Sequence, residues 1–235
     1  MKQQKRSHLL AILISLVLMT IFCLPNNAYS SDTGSFGLRP VLGYSVGQDK
    51  VLISDYILIN GETSQETSGS SYLDNGGGLL FGVDLTYTLD QHSRLGMGFR
   101  AKGNFENPEL SYLDATFSTN MLHIMYIYQH RMGGIDVIAG IGATYHTGTK
   151  FSMKHEENSS ADFAVNYLDT IAPMFDIALE KITREGVALY LGVRAHLVTY
   201  KGKDVLIEGI DTSGYTAKEI VGNSLDFSFG ATWYF

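Results

Sequence analysis

The chain ends Leu225-Asp-Phe-Ser-Phe-Gly-Ala-Thr-Trp-Tyr-Phe235. Leu225, Phe227, Phe229, Ala231, Trp233 and Phe235 alternate with Asp226, Ser228, Gly230, Thr232 and Tyr234. A period of two is that of a β-strand, whose successive side chains point to opposite faces. One face here is apolar, the other polar, and the last residue is aromatic. In water such a terminal strand would present a greasy face and an unpaired edge. In the wall of a closed barrel its apolar face meets lipid, its polar face meets the lumen, and no edge remains.

Seven more segments upstream carry the same period, placing eight strands near 35–46, 78–89, 95–104, 117–131, 135–147, 167–182, 187–200 and 224–235. Their connections sort by parity. Asp90-Gln-His-Ser-Arg94, Met132-Gly-Gly134 and Thr183-Arg-Glu-Gly186 are short, whereas 47–77, 105–116, 148–166 and 201–223 are long. An even-stranded antiparallel barrel with both termini on one side produces this alternation, with tight turns in the periplasm and long loops outside. A soluble sandwich has no reason to do so.

The facing pattern agrees. Leu79, Phe81, Val83 and Leu85, then Leu95, Met97 and Phe99, Leu122 and Ile124, Val137 and Ile141, Ile171, Phe175 and Ile177, and Leu189, Leu191 and Val193 all share the outward parity of the C-terminal strand. No charge interrupts these sets, as a lipid face requires, because Arg or Lys at mid-depth costs about 2–4 kcal/mol. Outward aromatics are expected in two girdles: Phe36, Tyr87, Tyr126, Tyr128, Trp233 and Phe235 at the periplasmic ends, and Tyr44, Tyr145 and Tyr167 at the opposite ends. Pro173 marks a place where a kinked strand could leave a lateral opening, and Pro40 could mark a local break in its own strand.

Residues 1–30 read as a cleaved secretory signal peptide, leaving 31–235 as one barrel domain. Lys2, Lys5 and Arg6 precede an apolar run from Leu9 to Leu24, and Ala28-Tyr29-Ser30 fits a small-x-small cleavage site. Cys23 is the only cysteine, and Thr20 and Phe22 do not suit a lipoprotein signal, so no disulfide or thiolate chemistry is expected. Removing Lys2, Lys5 and Arg6 from 17 basic residues leaves 14 against 24 acidic ones, a formal charge near −10. That sign argues against nucleic acid as a partner.

The inward face carries the charges. Arg39, Arg100, Lys102, Arg131 and Arg194 oppose Asp84, Asp136, Asp176, Glu180 and Asp226, a balanced set expected to form a salt-bridge network that fills the lumen. A narrow pore lined by the same groups is the alternative. Asp176 and Glu180 lie two inward positions apart, a spacing that also admits acid–base chemistry, but carboxylates beside arginines are more often ion-pair partners. His123 and His196 are expected to hydrogen-bond within the network. His146, Ser152 and Glu156 could supply the parts of a nucleophilic site near the outer rim. No catalytic, metal or cofactor-binding residues are expected. The long loops are acidic, with Glu106, Glu109 and Asp114 in the second, and the first carries the apolar run Val51–Ile59, a candidate contact surface.

In this architecture, and in its Trp233-Tyr234-Phe235 ending, the chain resembles the small eight-stranded outer-membrane proteins of Gram-negative bacteria: the OmpA membrane domain, OmpX/Ail-like proteins, the OmpW family and opacity proteins. The charged lumen is similar to OmpA and OmpX rather than to the more apolar OmpW channel. The resemblance implies an assembly signal at Trp233, Tyr234 and Phe235, and partners among the barrel assembly machinery, periplasmic chaperones, outer-membrane lipids and lipopolysaccharide. It also implies a structural role or surface adhesion to a host or surface ligand through the loops. A narrow channel for small solutes or hydrophobic compounds is the second reading and lipid A modification the third.

Overall fold

The computed structural model describes residues 33–47, 50–52, 57–59, 62–63, 72–74, 77–104, 113–155, 163–183, 186–207, 209, 211–213 and 215–235. The expected signal peptide, Cys23, most of the first loop, Glu106, Glu109 and Glu156 lie outside the described residues.

Eight long strands form the wall: β1 (Phe36–Gly47), β2 (Gly78–Thr88), β3 (Ser93–Asn104), β4 (Leu113–Met132), β5 (Ile135–His155), β6 (Thr170–Ile182), β7 (Val187–His196) and β8 (Ser224–Tyr234). Each pairs antiparallel with its neighbour in sequence, and β8 pairs back onto β1, so the sheet closes. One row of partners runs from Gly37 through Thr86, Gly96, Met125, Gly142, Met174, His196 and Ser224 and returns to β1 at Gly47, ten residues from its start. Eight strands with a stagger of ten residues tilt by about 40° and enclose an interior only wide enough for side chains.

The periplasmic turns are short for local reasons. Gly133 and Gly134 sit at φ +59° and +86°, the left-handed pair that a two-residue hairpin needs to match strand twist. In the β2–β3 turn the Asp90 carboxylate accepts the His92 N–H at 2.7 Å, which holds this exposed carboxyl below its ordinary range. Thr183 closes the β6–β7 turn by donating its hydroxyl to the Val187 carbonyl at 2.7 Å.

The outward face is an apolar belt. Leu79, Phe81, Met97, Leu122, Ile124, Ile141, Ile171 and Ile177 are all exposed. Among the aromatics assigned to the periplasmic girdle, Phe36 lies 4.9 Å from the Tyr87 ring and 6.2 Å from that of Phe235, and Tyr126, Tyr128 and Trp233 are likewise exposed. Tyr44 and Tyr145 are exposed at the opposite end. Tyr167 is not: it is buried at 3% exposure among apolar side chains. Leu168 and Asp169 interrupt the strand between Phe163–Tyr167 and β6, so the parity that holds along β6 does not carry back to Tyr167.

The outer rim also departs from the sequence reading. Segments 105–116 and 148–166, expected as loops, contribute to strands of 20 residues (β4) and 21 residues (β5). About ten tilted residues cross a hydrophobic band ~25 Å tall, so these two strands stand well above it. Phe163–Tyr167 pairs with β5, and Gly202–Ile207 pairs with Phe163–Tyr167, widening the ledge. A bulge accompanies the extension: Ser118 pairs with Lys150 but Asn120 with Thr147, and Gly148 lies at φ +60°. Phe117, Phe151, Val165, Tyr167, Tyr200 and Val205 meet over the mouth of the barrel as a buried apolar cap.

Candidate functional site: the ionic lumen

The inward face interleaves glycines, a few apolar side chains such as Met125, Ile127 and Met174, and the charges, which strand alternation alone brings together. Asp84 on β2 is the hub. It lies 3.1 Å from Arg39, 2.7 Å from Arg100, 3.7 Å from Arg194 and 3.3 Å from His123, all of them almost fully buried. Gly98 faces it across the β2–β3 ladder, where a Cβ would come within 2.7 Å of His123 and 2.8 Å of the Asp84 carboxylate. Asp176 binds Arg194 at 3.5 Å and accepts the Tyr190 hydroxyl at 3.2 Å. The Arg39 guanidinium lies over the Tyr190 ring, 3.6 Å from its centroid.

Nearer the periplasm a second tier forms around Glu180, which binds Arg94 at 2.9 Å and Arg39 at 3.4 Å and accepts the Tyr234 hydroxyl. Asp136 takes a two-pronged pair from Arg131 at 2.8 and 2.9 Å. Arg131 is 39% exposed, so it closes the periplasmic mouth instead of crossing the lumen. Toward the outside, Lys102 lies 3.5 Å from Asp226 and donates to Ser224 at 2.6 Å, and His196 meets Asp226 at 3.0 Å.

Arg94 is the residue that the sequence reading missed. Assigned to the turn, it instead lies at 1% exposure in the lumen and touches both Glu180 and Asp136. The inward parity of Gly96, Gly98, Arg100 and Lys102, run back one more step, would have found it. Among the described residues the network therefore opposes Arg39, Arg94, Arg100, Lys102, Arg131 and Arg194 to five carboxylates, one cation more than the set read from the sequence.

The acid–base and nucleophilic alternatives fare differently. Asp176 and Glu180 share a strand face, yet each is held by its own arginine and tyrosine partners. His146 faces inward and is fully buried, whereas Ser152 lies on the other side of β5, bonded at 2.7 Å to Thr116. The Gly148 bulge is the cause: Asp136, Ile138, Thr144 and His146 face inward at even numbers, Thr149 and Phe151 at odd ones. His146 and Ser152 therefore do not form one site. No group of metal-binding side chains occurs among the described residues.

A closed eight-stranded antiparallel wall, an apolar belt and a charged interior define a small outer-membrane-type β-barrel. Solved structures share that fold. OprG from Pseudomonas aeruginosa aligns over 86% of this chain and 96% of its own, at TM-score 0.61 and 12% identity. A major outer membrane protein from Thermus thermophilus gives a TM-score of 0.51 over 87% of this chain and 100% of its own, at 12% identity. Neisserial surface protein A gives 0.50 over 86% and 99%, at 14% identity. No protein-family profile matches the sequence, and no curated protein matches it in sequence.

Proposed function

We propose that this chain is exported by its N-terminal segment, released near Ser30, and assembled through its Trp233-Tyr234-Phe235 ending into the bacterial outer membrane. There it serves as an occluded structural and surface-interaction barrel whose outer ledge and loops meet the surroundings. Barrel assembly machinery and periplasmic chaperones would handle it on the way, and lipopolysaccharide would surround it. No catalysis belongs to this reading. The observation that carries it is the Asp84 hub, where three arginines from three other strands converge on one carboxylate across the lumen. Ions this deeply buried are tolerated when paired and hydrogen-bonded, and an eight-stranded barrel is just wide enough for its own side chains to fill, which supports an occluded lumen. Planar-bilayer recording of the refolded protein, with a heat-modifiable gel shift to verify folding, is expected to show no steady conductance at neutral pH. Reproducible single-channel steps would overturn the reading.

A second reading, sideways passage of small apolar compounds into the membrane, is favoured by one feature. The β6–β7 ladder ends at Met174 and His196, and the chain beyond Leu197 leaves β6 so that Thr199–Tyr200 pairs with Ile220–Val221. Bonds from Leu197 N to the Pro173 carbonyl (3.3 Å) and from Leu168 N to the Lys201 carbonyl (2.9 Å) bracket the interruption. Behind it lies the apolar cap. Transfer of an apolar dye into proteoliposome membranes should then be faster than into protein-free vesicles and be slowed by Ala172→Trp, which fills the cap beside the seam. Equal rates with and without protein would remove this reading.

A further inference from the structure

Between the Asp84 hub and the cap lies a cluster whose chemistry neither reading draws on. His146 on β5 and His196 on β7 meet edge to face with ring centroids 5.6 Å apart. His196 Nε2 is 3.0 Å from Asp226 Oδ2, and its Nδ1 is 3.5 Å from the Thr144 hydroxyl. His146 Nδ1 is 3.1 Å from the Tyr200 hydroxyl, while its Nε2 is buried with no hydrogen-bond partner. Tyr200 belongs to the strap that departs from the β6–β7 seam, and its ring packs on Phe117 and Tyr167 in the cap. Val198 fastens the same strap by donating its N–H to Asn223 Oδ1 at 2.8 Å and accepting that of Gly222 at 2.9 Å.

Few charges face the histidine pair. β3 supplies Lys102, β8 supplies Asp226, and β7 supplies Arg194, two residues below His196. The facing positions on β1, β4 and β6 are Ser45, Met121, Thr170 and Met174, all uncharged. Asp226 is thus the near carboxylate, and Lys102 already balances it. With both imidazoles neutral the cluster is balanced, and each added proton leaves an uncompensated positive charge in a buried place. Protonation also turns both ring nitrogens of His146 into donors, with the Tyr200 hydroxyl facing Nδ1 and no acceptor facing Nε2. The cluster lies at the level of the upper girdle, since His146 follows Tyr145 and Ser45 follows Tyr44. Among the described residues, the cap lies between this cluster and the outside.

We propose that the strap through Tyr200 is an acid-released latch: protonation of the His146–His196 pair ejects Tyr200 from its seat and lifts the cap from the outer mouth. This inference rests on the occluded-lumen reading. In the released state the imidazoles reach water, where histidine titrates near about 6.5. The released state then binds more protons than the latched one, so falling pH through that value favours release.

Amide hydrogen exchange of the refolded full chain in vesicles tests this, with each rate normalised to that of an unstructured amide at the same pH. Between about pH 7.5 and about pH 5, protection at Val198 and Gly222 is expected to fall by roughly tenfold or more, while the β7–β8 ladder around Tyr190 keeps its own. His146→Phe and His146→Gln, which keep a ring or a hydrogen bond but cannot charge, are expected to abolish the fall. Unchanged protection in the unaltered chain, or the same fall in both folded variants, would overturn the latch. Bilayer recording at neutral pH separates the two levels. Steady conductance there would remove the occluded reading and the latch with it, whereas a silent bilayer with pH-independent protection would remove the latch alone.

Discussion

Asp84→Asn is expected to destabilise the folded barrel by about 3–5 kcal/mol, the scale for removing one partner from a buried ion pair. The side chain keeps its shape and loses only its charge, so the change reports electrostatics and not packing. Arg39, Arg100 and Arg194 all lie within 4 Å of this carboxylate, and Arg100 makes two bonds to it, at 3.2 and 2.7 Å. Glu180 remains for Arg39 and Asp176 for Arg194, but Arg100 has no other carboxylate among its recorded ion pairs. Urea unfolding in lipid vesicles, or the temperature at which the heat-modifiable gel band shifts, reads the effect. Adding Arg100→Met to Asp84→Asn should recover part of the loss, because the stranded cation is removed with its partner. Asp90→Asn in the solvent-exposed turn serves as the control and should leave the unfolding midpoint close to that of the unaltered chain. Equal, small effects of Asp84→Asn and Asp90→Asn would mean that the lumen is wet and its charges solvated.

The wall of this barrel is legible in the sequence because lipid and lumen impose opposite demands on alternate residues, and no residue type satisfies both. Leu225 to Phe235 show this over one strand, and the parity of short and long connections shows it for the whole. The ionic lumen is legible for the same reason: a charge in a strand that must face lipid on one side can only point inward. Arg94 escaped because turn and strand share polar residues at their boundary, and composition cannot say where pairing starts. The bulge at Gly148 leaves no signal beyond a glycine between two threonines, yet it moves Ser152 to the face opposite His146. The cap was invisible for a different reason. Val198 and Tyr200 sit in the segment expected to continue the seventh strand and Ile220 in the loop after it, and they become a core only because the wall strand stops at His196 and β4 and β5 rise above the membrane to offer Phe117 and Phe151 to pack on. Tyr167 was misplaced by the same cause, since a residue that follows strand parity into a girdle belongs to the cap once Leu168 and Asp169 break that parity.

Ile177→Arg and Leu206→Arg together decide which medium the apolar belt faces, and they are expected to differ sharply. Both residues are more than half exposed, Ile177 at 67% and Leu206 at 51%, so in water neither change would cost much. Ile177 lies midway along β6, paired with Ala139 and Val193, inside the band of outward Leu, Ile and Phe. Leu206 lies on the Gly202–Ile207 strand of the ledge, paired with Ala164 beyond the girdle that Tyr44 and Tyr145 mark. A guanidinium at the bilayer midplane of a barrel costs about 2–4 kcal/mol, and near or above the interface about 0–1 kcal/mol. Ile177→Arg should therefore lower the unfolding midpoint in vesicles well below that of Leu206→Arg, which should fold like the unaltered chain. The contrast depends on the hydrocarbon and not on the protein, because the two sites have similar exposure and neither side chain enters the lumen. In short-chain detergent micelles, whose apolar layer is thinner and deformable, the gap between the two variants should narrow. Equal stability of the two in vesicles would place the belt in water and undo the transmembrane assignment, whatever the topology of the strands.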